Sequence, residues 1–300
     1  MLIDLVQLRT FIGVAEEQHL TRAAERLHIS QSAASSHIRA IEDILGTQLF
    51  VRTNRSLQLT RAGELVLDRA RMLLNEASVF TSFARELRGK TEGRLVVGSS
   101  SDPSNRVADI VASLYHLHPL VQVDLRVRQS AGARQDIKAG ELDVGIQLGP
   151  SVDPAIMHYE LTRVRFRIVG PIAWKDQIET ASWEDLTNMP WITPLDNRMA
   201  YSTILAQLFT SKGLELNSVA RFDNAALARS MVQAGIGLML MRESHALKAE
   251  REGSLAISPL AEAELPLHIS HLVSRKNDPL ILAFMDAAKE IWPGLRSLPG

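Results

Sequence analysis

The stretch from Leu20 to Ile41, LTRAAERLHISQSAASSHIRAI, constrains the fold more than any other part of the chain. Two short amphipathic runs flank His28-Ile29-Ser30. Leu20, Ala23, Ala24 and Leu27 recur at helical spacing in the first, and Ala34, Ile38 and Ile41 in the second. Helices this close in sequence must cross steeply. That is the helix-turn-helix plan, in which one helix braces against phosphates and the next enters the major groove. Ser30 stands where the second helix should begin, with a hydroxyl able to accept a hydrogen bond from a first-turn N–H. The apolar seam leaves Ser32, Ser36 and Arg39 facing away from the core, with Gln31 and Ser35 on the flank. Short serines let a helix approach a groove floor, glutamine pairs bidentately with adenine and arginine with guanine. The candidate DNA contacts are therefore Ser30, Gln31, Ser32, Ser35, Ser36 and Arg39, joined by Thr21 and Arg22 on the bracing helix.

Residues 4 to 18 read as a preceding helix, with Leu5, Leu8, Ile12 and Ala15 on the face that packs under the motif. After Gly46, Leu49–Arg52 and Leu57–Thr60 read as two short strands around a turn, a wing from which Arg52 and Arg55 can reach the backbone or the minor groove. No proline interrupts the helical pattern from Arg61 to Arg88, a length of roughly 40 Å at 1.5 Å per residue. Within it Val66, Ala70, Leu73, Ala77, Phe80, Ala84 and Leu87 fall at alternating steps of four and three. That is a heptad seam. A long helix tethered to a small domain gains little from its own chain, so the seam is expected to pair with a copy of itself; the alternative is an ordinary core-facing helix.

The run TRAAERLHISQSAASSHIRAIEDILGTQLFVR, followed by LTRAGE, closely resembles the N-terminal signature of LysR-type transcriptional regulators, and the resemblance extends over the whole chain. It departs from the usual pattern at Ser32, where proline is common, at Ser36, where arginine is common, and at His19, where a small capping residue usually opens the first helix of the motif. The resemblance implies an α/β fold class with three parts: a mainly α-helical winged helix-turn-helix domain over 1–60, a linker and dimerisation helix over 61–91, and a two-lobed periplasmic-binding-protein-like effector domain over 92–300. Lobe I would take about 92–163 and 267–300, and lobe II about 164–266. It implies a dimer or dimer of dimers on an interrupted palindrome in double-stranded DNA, RNA polymerase as a partner if the protein activates, and a small organic effector instead of a cofactor.

The residues beyond Gly93 agree with such a domain. Leu95–Val97, Val121–Leu125 and Leu142–Ile146 read as strands alternating with helices near 107–117 and 133–139, the pattern of an open α/β sheet with ligand loops at the carboxyl ends of its strands. Further on, 165–169, 238–241 and 267–273 read as strands, and 199–212, 224–233 and 280–291 as helices. The first strand runs into Gly98-Ser99-Ser100-Ser101-Asp102-Pro103, where Pro103 suits a first helical position and free N–H groups attract anions. By resemblance Ser99, Ser100 and Ser101 form the first effector loop, Gln129, Ser130 and Gln147 the next two, and Thr193 and Asn197 face them from the other lobe, with Phe222 a weaker candidate. Arg163, Arg165 and Arg167 share a strand face and read as a solvated or lobe-crossing surface.

Composition closes off several functions. The formal net charge is −1, and residues 1 to 61 hold seven Arg against six Asp and Glu, so phosphate affinity must come from placement and from more than one copy of the domain. Without cysteine there is no disulfide, thiolate metal site or thiol redox switch. No apolar run approaches the ~18 residues of a membrane span and the N-terminus lacks a signal-peptide pattern, so a cytoplasmic protein with no membrane partner is expected. No nucleophile elbow, phosphate-binding loop or paired carboxylate motif marks a catalytic residue, and the histidine pairs at 116/118 and 268/271 diverge, so no metal site is inferred. Two other functions remain open on residues alone: a two-lobed binding protein or enzyme with an N-terminal interaction module, and a nucleoid-type structural DNA-binding protein.

Overall fold

The computed structural model describes residues 3–52, 57–86, 91–100, 106–149, 153–197, 199–260 and 263–297. The N-terminal head begins with α1 (Leu5–Glu17), capped by Asp4, whose carboxylate accepts from Val6 N at 2.8 Å while Gln7 accepts from Asp4 N. Its buried face runs through Leu8, Phe11 and Val14. Leu5 is 47% exposed, a correction to the face read from sequence: the row starting at Leu8 takes the core and the first turn stays in solvent. Helices α2 (Leu20–Arg26) and α3 (Gln31–Leu45) follow, then a hairpin of β1 (Phe50–Arg52) and β2 (Leu57–Leu59). Phe11 meets Phe50 edge-on at 5.5 Å. Glu42 of α3 accepts from Leu49 N at 2.7 Å and so ties the hairpin to α3.

Helix α4 (Arg61–Glu86) starts at Thr60, whose hydroxyl accepts from Gly63 N and donates to Gln48 O. A Cβ at Gly63 would lie 2.2 Å from the Leu49 carbonyl oxygen, so only glycine lets α4 approach the strand this closely. The helix has two apolar faces. Val66, Leu67, Ala70 and Leu74 pack into the head's own core, whereas Leu65, Met72, Leu73 and Phe80 are exposed, the last two at 55% and 71%. This corrects the single heptad seam: its first members, Val66 and Ala70, are taken up within the chain, and Ala77 is half-buried. The side chain of Ala84 and the whole of Leu87 lie outside the described residues.

The C-terminal part is built on β3 (Gly93–Ser99), α5 (Val107–Leu117), β4 (Val121–Val127), α6 (Ser130–Lys138), β5 (Val144–Leu148), β6 (Ile156–Pro171), α7 (Lys175–Thr180), α8 (Trp183–Asn188), β7 (Pro190–Pro194), α9 (Ala200–Leu208), β8 (Asn217–Phe222), α10 (Ala225–Gln233), β9 (Met239–Arg242), α11 (Glu243–Arg251), β10 (Leu255–Ile257), β11 (Ala263–Leu272), α12 (Pro279–Ile291) and β12 (Arg296–Ser297). The main sheet runs β10-β6-β11-β5-β3-β4, with β9 and β12 also on β6; β7 and β8 form a separate parallel pair. Strand β6 is long enough to serve both lobes. Its first half packs Leu161 and Val164 with α5 and α12 in the lobe I core, and its second half packs Phe166 and Ile168 with Ile178, Trp191 and Ile204 in lobe II. It pairs antiparallel with β11 along nearly all of the latter, and this ribbon carries the chain across. Gly235 ends α10 at φ +85°, as a helix stop should.

Lobe I holds a buried ionic knot. Arg275 is 4% exposed and bonds both Asp143 and Asp278; Asp143 also accepts from Val96 N, and Asp278 caps α12 at Leu280 N. On the α6 side of the sheet His158 lies 5.8 Å from His268, with Ser270 Oγ 2.8 Å from His158 Nδ1. His271 projects the other way and stacks on Tyr159. Burial, then the neighbouring His268, pushes His158 down from 6.5 to about 4. Burial lowers His268 and His271 too. The unfolded chain therefore binds protons below pH 6.5 that the folded chain refuses, so stability is full above that pH and falls towards pH 4. The His158 share is about 3 kcal/mol. Urea midpoints across this range should fall less steeply for His158→Gln than for the wild type; parallel slopes would show that His158 does not carry the effect.

Candidate functional site

The first site is the outward face of α3. The turn before it passes through His28 at φ +55°, and Ser30 then caps α3 by accepting from Ala33 N at 3.0 Å. Ala34, Ile38 and Ile41 are buried, and Gln31, Ser32, Ser36 and Arg39 are exposed with Ser35 half-buried. Ser30 and Ser32 bond each other at 2.9 Å. Thr21 is half-buried and Arg22 exposed on α2, which starts at His19 without a side-chain cap. Arg52 ends β1, but its side chain lies outside the described residues, as does all of Arg55. One residue that sequence reasoning missed is His37, whose Nδ1 lies 2.9 Å from Thr10 Oγ1 and holds α3 against α1. Arg26 is paired within the head with Glu16 and Glu17, and Arg22 and Arg39 are the other exposed cations of the two motif helices.

The second site is a cavity of about 520 Å³ between the lobes. Lobe I supplies Ser100, Val127, Gln129, Ser130, Ile146, Leu148 and Leu267, and lobe II supplies Met199, Ala200, Tyr201, Asp223–Ala226, Arg229, Met239, Met241, Arg242, His245 and Lys248. Three helices open onto it at their N-termini: α6 through Gln129 and Ser130, α9 through Met199–Tyr201, and α10 through Asn224–Ala226. Helix N-termini carry partial positive charge and orphan N–H groups. Asn224 caps α10, but neither α6 nor α9 has a side-chain cap. Arg229, Arg242 and Lys248 add full positive charge against Asp223, the one carboxylate in the lining among the described residues; behind them Glu252 stands 3.7 Å from Arg229 and 3.9 Å from Lys248. Val127, Ile146, Leu148, Met239, Met241 and Leu267 add apolar surface to the lining. This arrangement suits a ligand with an apolar body and a negative head.

Of the residues read from sequence as effector contacts, the cavity gathers Ser100, Gln129 and Ser130. Ser99 is buried, and Ser101 lies outside the described residues. Gln147 points away: Ile146 and Leu148 face the cavity, so the residue between them lies on the other face, near Ile137 of α6. Thr193 bonds Ser218 across β7 and β8, Asn197 is exposed outside the lining, and Phe222 packs into the lobe II core against Tyr201. Helix α5 begins at Val107 behind a left-handed Arg106, and Pro103, expected from the sequence as a first helical residue, lies outside the described residues. Among the described residues the helix N-termini at the cavity are those of α6, α9 and α10. Arg163 pairs with Glu264, and Arg165 and Arg167 with Glu243, so that strand face is met by carboxylates. The cations that sequence reasoning missed come from α10, β9 and α11, which only the lobe II fold brings together.

Among the described residues no group of three His, Asp or Glu could hold a metal ion, and no helix is long and apolar enough to cross a membrane. A family profile described as "LysR substrate binding domain" matches residues 88–293, and one described as "Bacterial regulatory helix-turn-helix protein, lysR family" matches residues 5–64. HTH-type transcriptional regulator XapR of Escherichia coli is 36% identical over 248 residues, covering 81% of this chain and 83% of that protein. Among solved structures, ArgP from Mycobacterium tuberculosis superposes with a TM-score of 0.74 at 18% identity over 98% of each chain. Full-length CbnR complexed with its target DNA superposes at 0.64 with 23% identity, over 96% of this chain and 99% of that one.

Proposed function

The chain belongs to the LysR family of transcriptional regulators, DNA-binding proteins with an effector-binding domain and not enzymes, and from that premise we propose that its effector is a small organic anion held in the interlobe cavity. The observation that carries this is the convergence of three helix N-termini with Arg229, Arg242 and Lys248 on a cavity whose lining also includes apolar side chains. A cationic ligand would meet like charge on the lobe II wall. Arg242 is the principal candidate for the head group because it is nearly buried, where a charge-assisted hydrogen bond is strong.

On DNA, two copies joined through the exposed stripe of α4 present two α3 helices to an interrupted palindrome, with half-sites about one helical turn, ~34 Å, or a multiple of it apart. Gln31, Ser32, Ser35, Ser36 and Arg39 read bases, and Thr21, Arg22, Ser30, Arg52 and Arg55 serve the backbone. Where the assembly activates, RNA polymerase is the partner it acts on. The effector shifts the arrangement only by its differential affinity for two states of the cleft.

A thermal-shift screen of carboxylates against their amides and amines tests the effector reading. Acids should stabilise the full-length protein, by about 2.7 kcal/mol at a hundredfold excess over Kd. Arg242→Gln should weaken the best acid by about ten- to a hundredfold. Stabilisation by amines alone, or an unchanged response in Arg242→Gln, would sink the proposal.

A further inference from the structure

We propose that α6 is a strut between the interlobe cavity and the DNA-reading head, and that Arg71 is the positioning residue at its far end. At the near end Gln129 and Ser130 line the cavity. Gln129 Nε2 donates across the cleft to Asp223 O at 3.1 Å, and Ser130 Oγ accepts from Leu148 N at 2.9 Å. The N-terminus of α6 is therefore bonded both to lobe II and to the floor of the cavity. A ligand that changes lobe closure acts on it directly.

The helix has nine residues, a rod of about 14 Å. Just past its other end, Glu141 Oε1 lies 2.6 Å from Arg71 Nη2 on α4. The same nitrogen is 3.4 Å from Glu16 Oε1 on α1, and Glu16 Oε2 is 2.6 Å from Arg26, the last residue of α2. Charges alternate along this line, from Glu141 through Arg71 and Glu16 to Arg26, so it runs from the effector lobe to the helix that braces the reading helix. Gly140 seats the end of the strut on α4, with its Cβ position 3.4 Å from Asn75 Cβ and 3.6 Å from the Arg71 carbonyl oxygen. The Arg71 side chain is 17% exposed, so the pair is only partly screened by salt.

One guanidinium nitrogen between two carboxylates is an element with two arrangements, biased towards Glu141 or towards Glu16 according to where α6 stands. Coupling between two sites is reciprocal, so DNA bound at the head must be felt at the cleft end of α6. The proposal takes the cavity as the effector site from the reading above, but its test needs no effector.

The test uses the full-length protein and a DNA duplex that the protein itself selects from a random pool, with hydrogen exchange read over residues 130–138. In the wild type, duplex binding should change exchange in this segment by at least about threefold. Arg71→Gln and Glu141→Gln should each abolish that change while binding the duplex within about threefold of wild type, and Arg71→Lys should retain it. Glu141→Gln leaves the Arg71–Glu16 pair intact, so a defect in the head cannot mimic the result. The proposal is overturned if α6 in the wild type ignores the duplex, or if it responds equally in both glutamine variants. A failure of the acid screen would remove the effector reading and leave this result standing.

Discussion

Leu73→Asp is expected to dissociate the assembly and abolish specific DNA binding, although it touches no base contact. In the single chain Leu65, Met72, Leu73 and Phe80 form an apolar stripe on α4 that stays exposed, while the adjoining face is used up by the head's core. Two such stripes facing each other would place the introduced carboxylates together in a desolvated seam, at a cost of several kcal/mol. One head alone binds weakly because its arginines barely outnumber its acids and Arg26 is already paired. Losing the second head also removes the effective-concentration gain, about a hundredfold or more in affinity. Light scattering and DNA titration check both parts. A variant that stays dimeric through α4 would show that the stripe is not the seam.

Arg275→Ala should cost about 3–5 kcal/mol, the range for breaking a buried ion pair from one side. The deletion leaves the partly buried Asp143 and the buried Asp278 without their cation, and both also hold backbone: Asp143 at Val96 of β3, Asp278 at the start of α12. Such a loss is a large part of the ~5–15 kcal/mol that keeps a domain folded. Urea unfolding of the full chain should show a lobe I transition displaced to much lower denaturant. A midpoint equal to wild type would mean that the knot contributes specificity and not stability.

Much of the architecture was legible because hydrophobic period reports burial directly. The helix-turn-helix seam of Ala34, Ile38 and Ile41, the Ser30 cap and the alternating strands and helices past Gly93 all follow from spacing. Periodicity fails where one helix has two jobs. The heptad count over α4 merged a face that packs on the head, Val66 and Ala70, with a face that does not, Leu73 and Phe80, because both lie within a third of a turn of one another. It also fails where strands are irregular: β7 begins and ends in proline, and β6 carries charges at Glu160, Arg163, Arg165 and Arg167, so neither showed as a full strand. Gln147 was misplaced for want of parity, since a one-residue shift along β5 exchanges the cavity face for the α6 face. The cations at Arg229, Arg242 and Lys248 were invisible because they come from three elements whose meeting is a property of the fold.

Occupancy of the cleft is expected to change how the protein sits on DNA. DNase footprinting on the DNA upstream of its own gene, with and without the best acid of the screen, measures this most directly. With the acid saturating, the wild-type footprint should change in extent or in its hypersensitive positions, and the Arg242→Gln footprint at the same concentration should not. An unchanged wild-type footprint with the acid demonstrably bound would contradict the account.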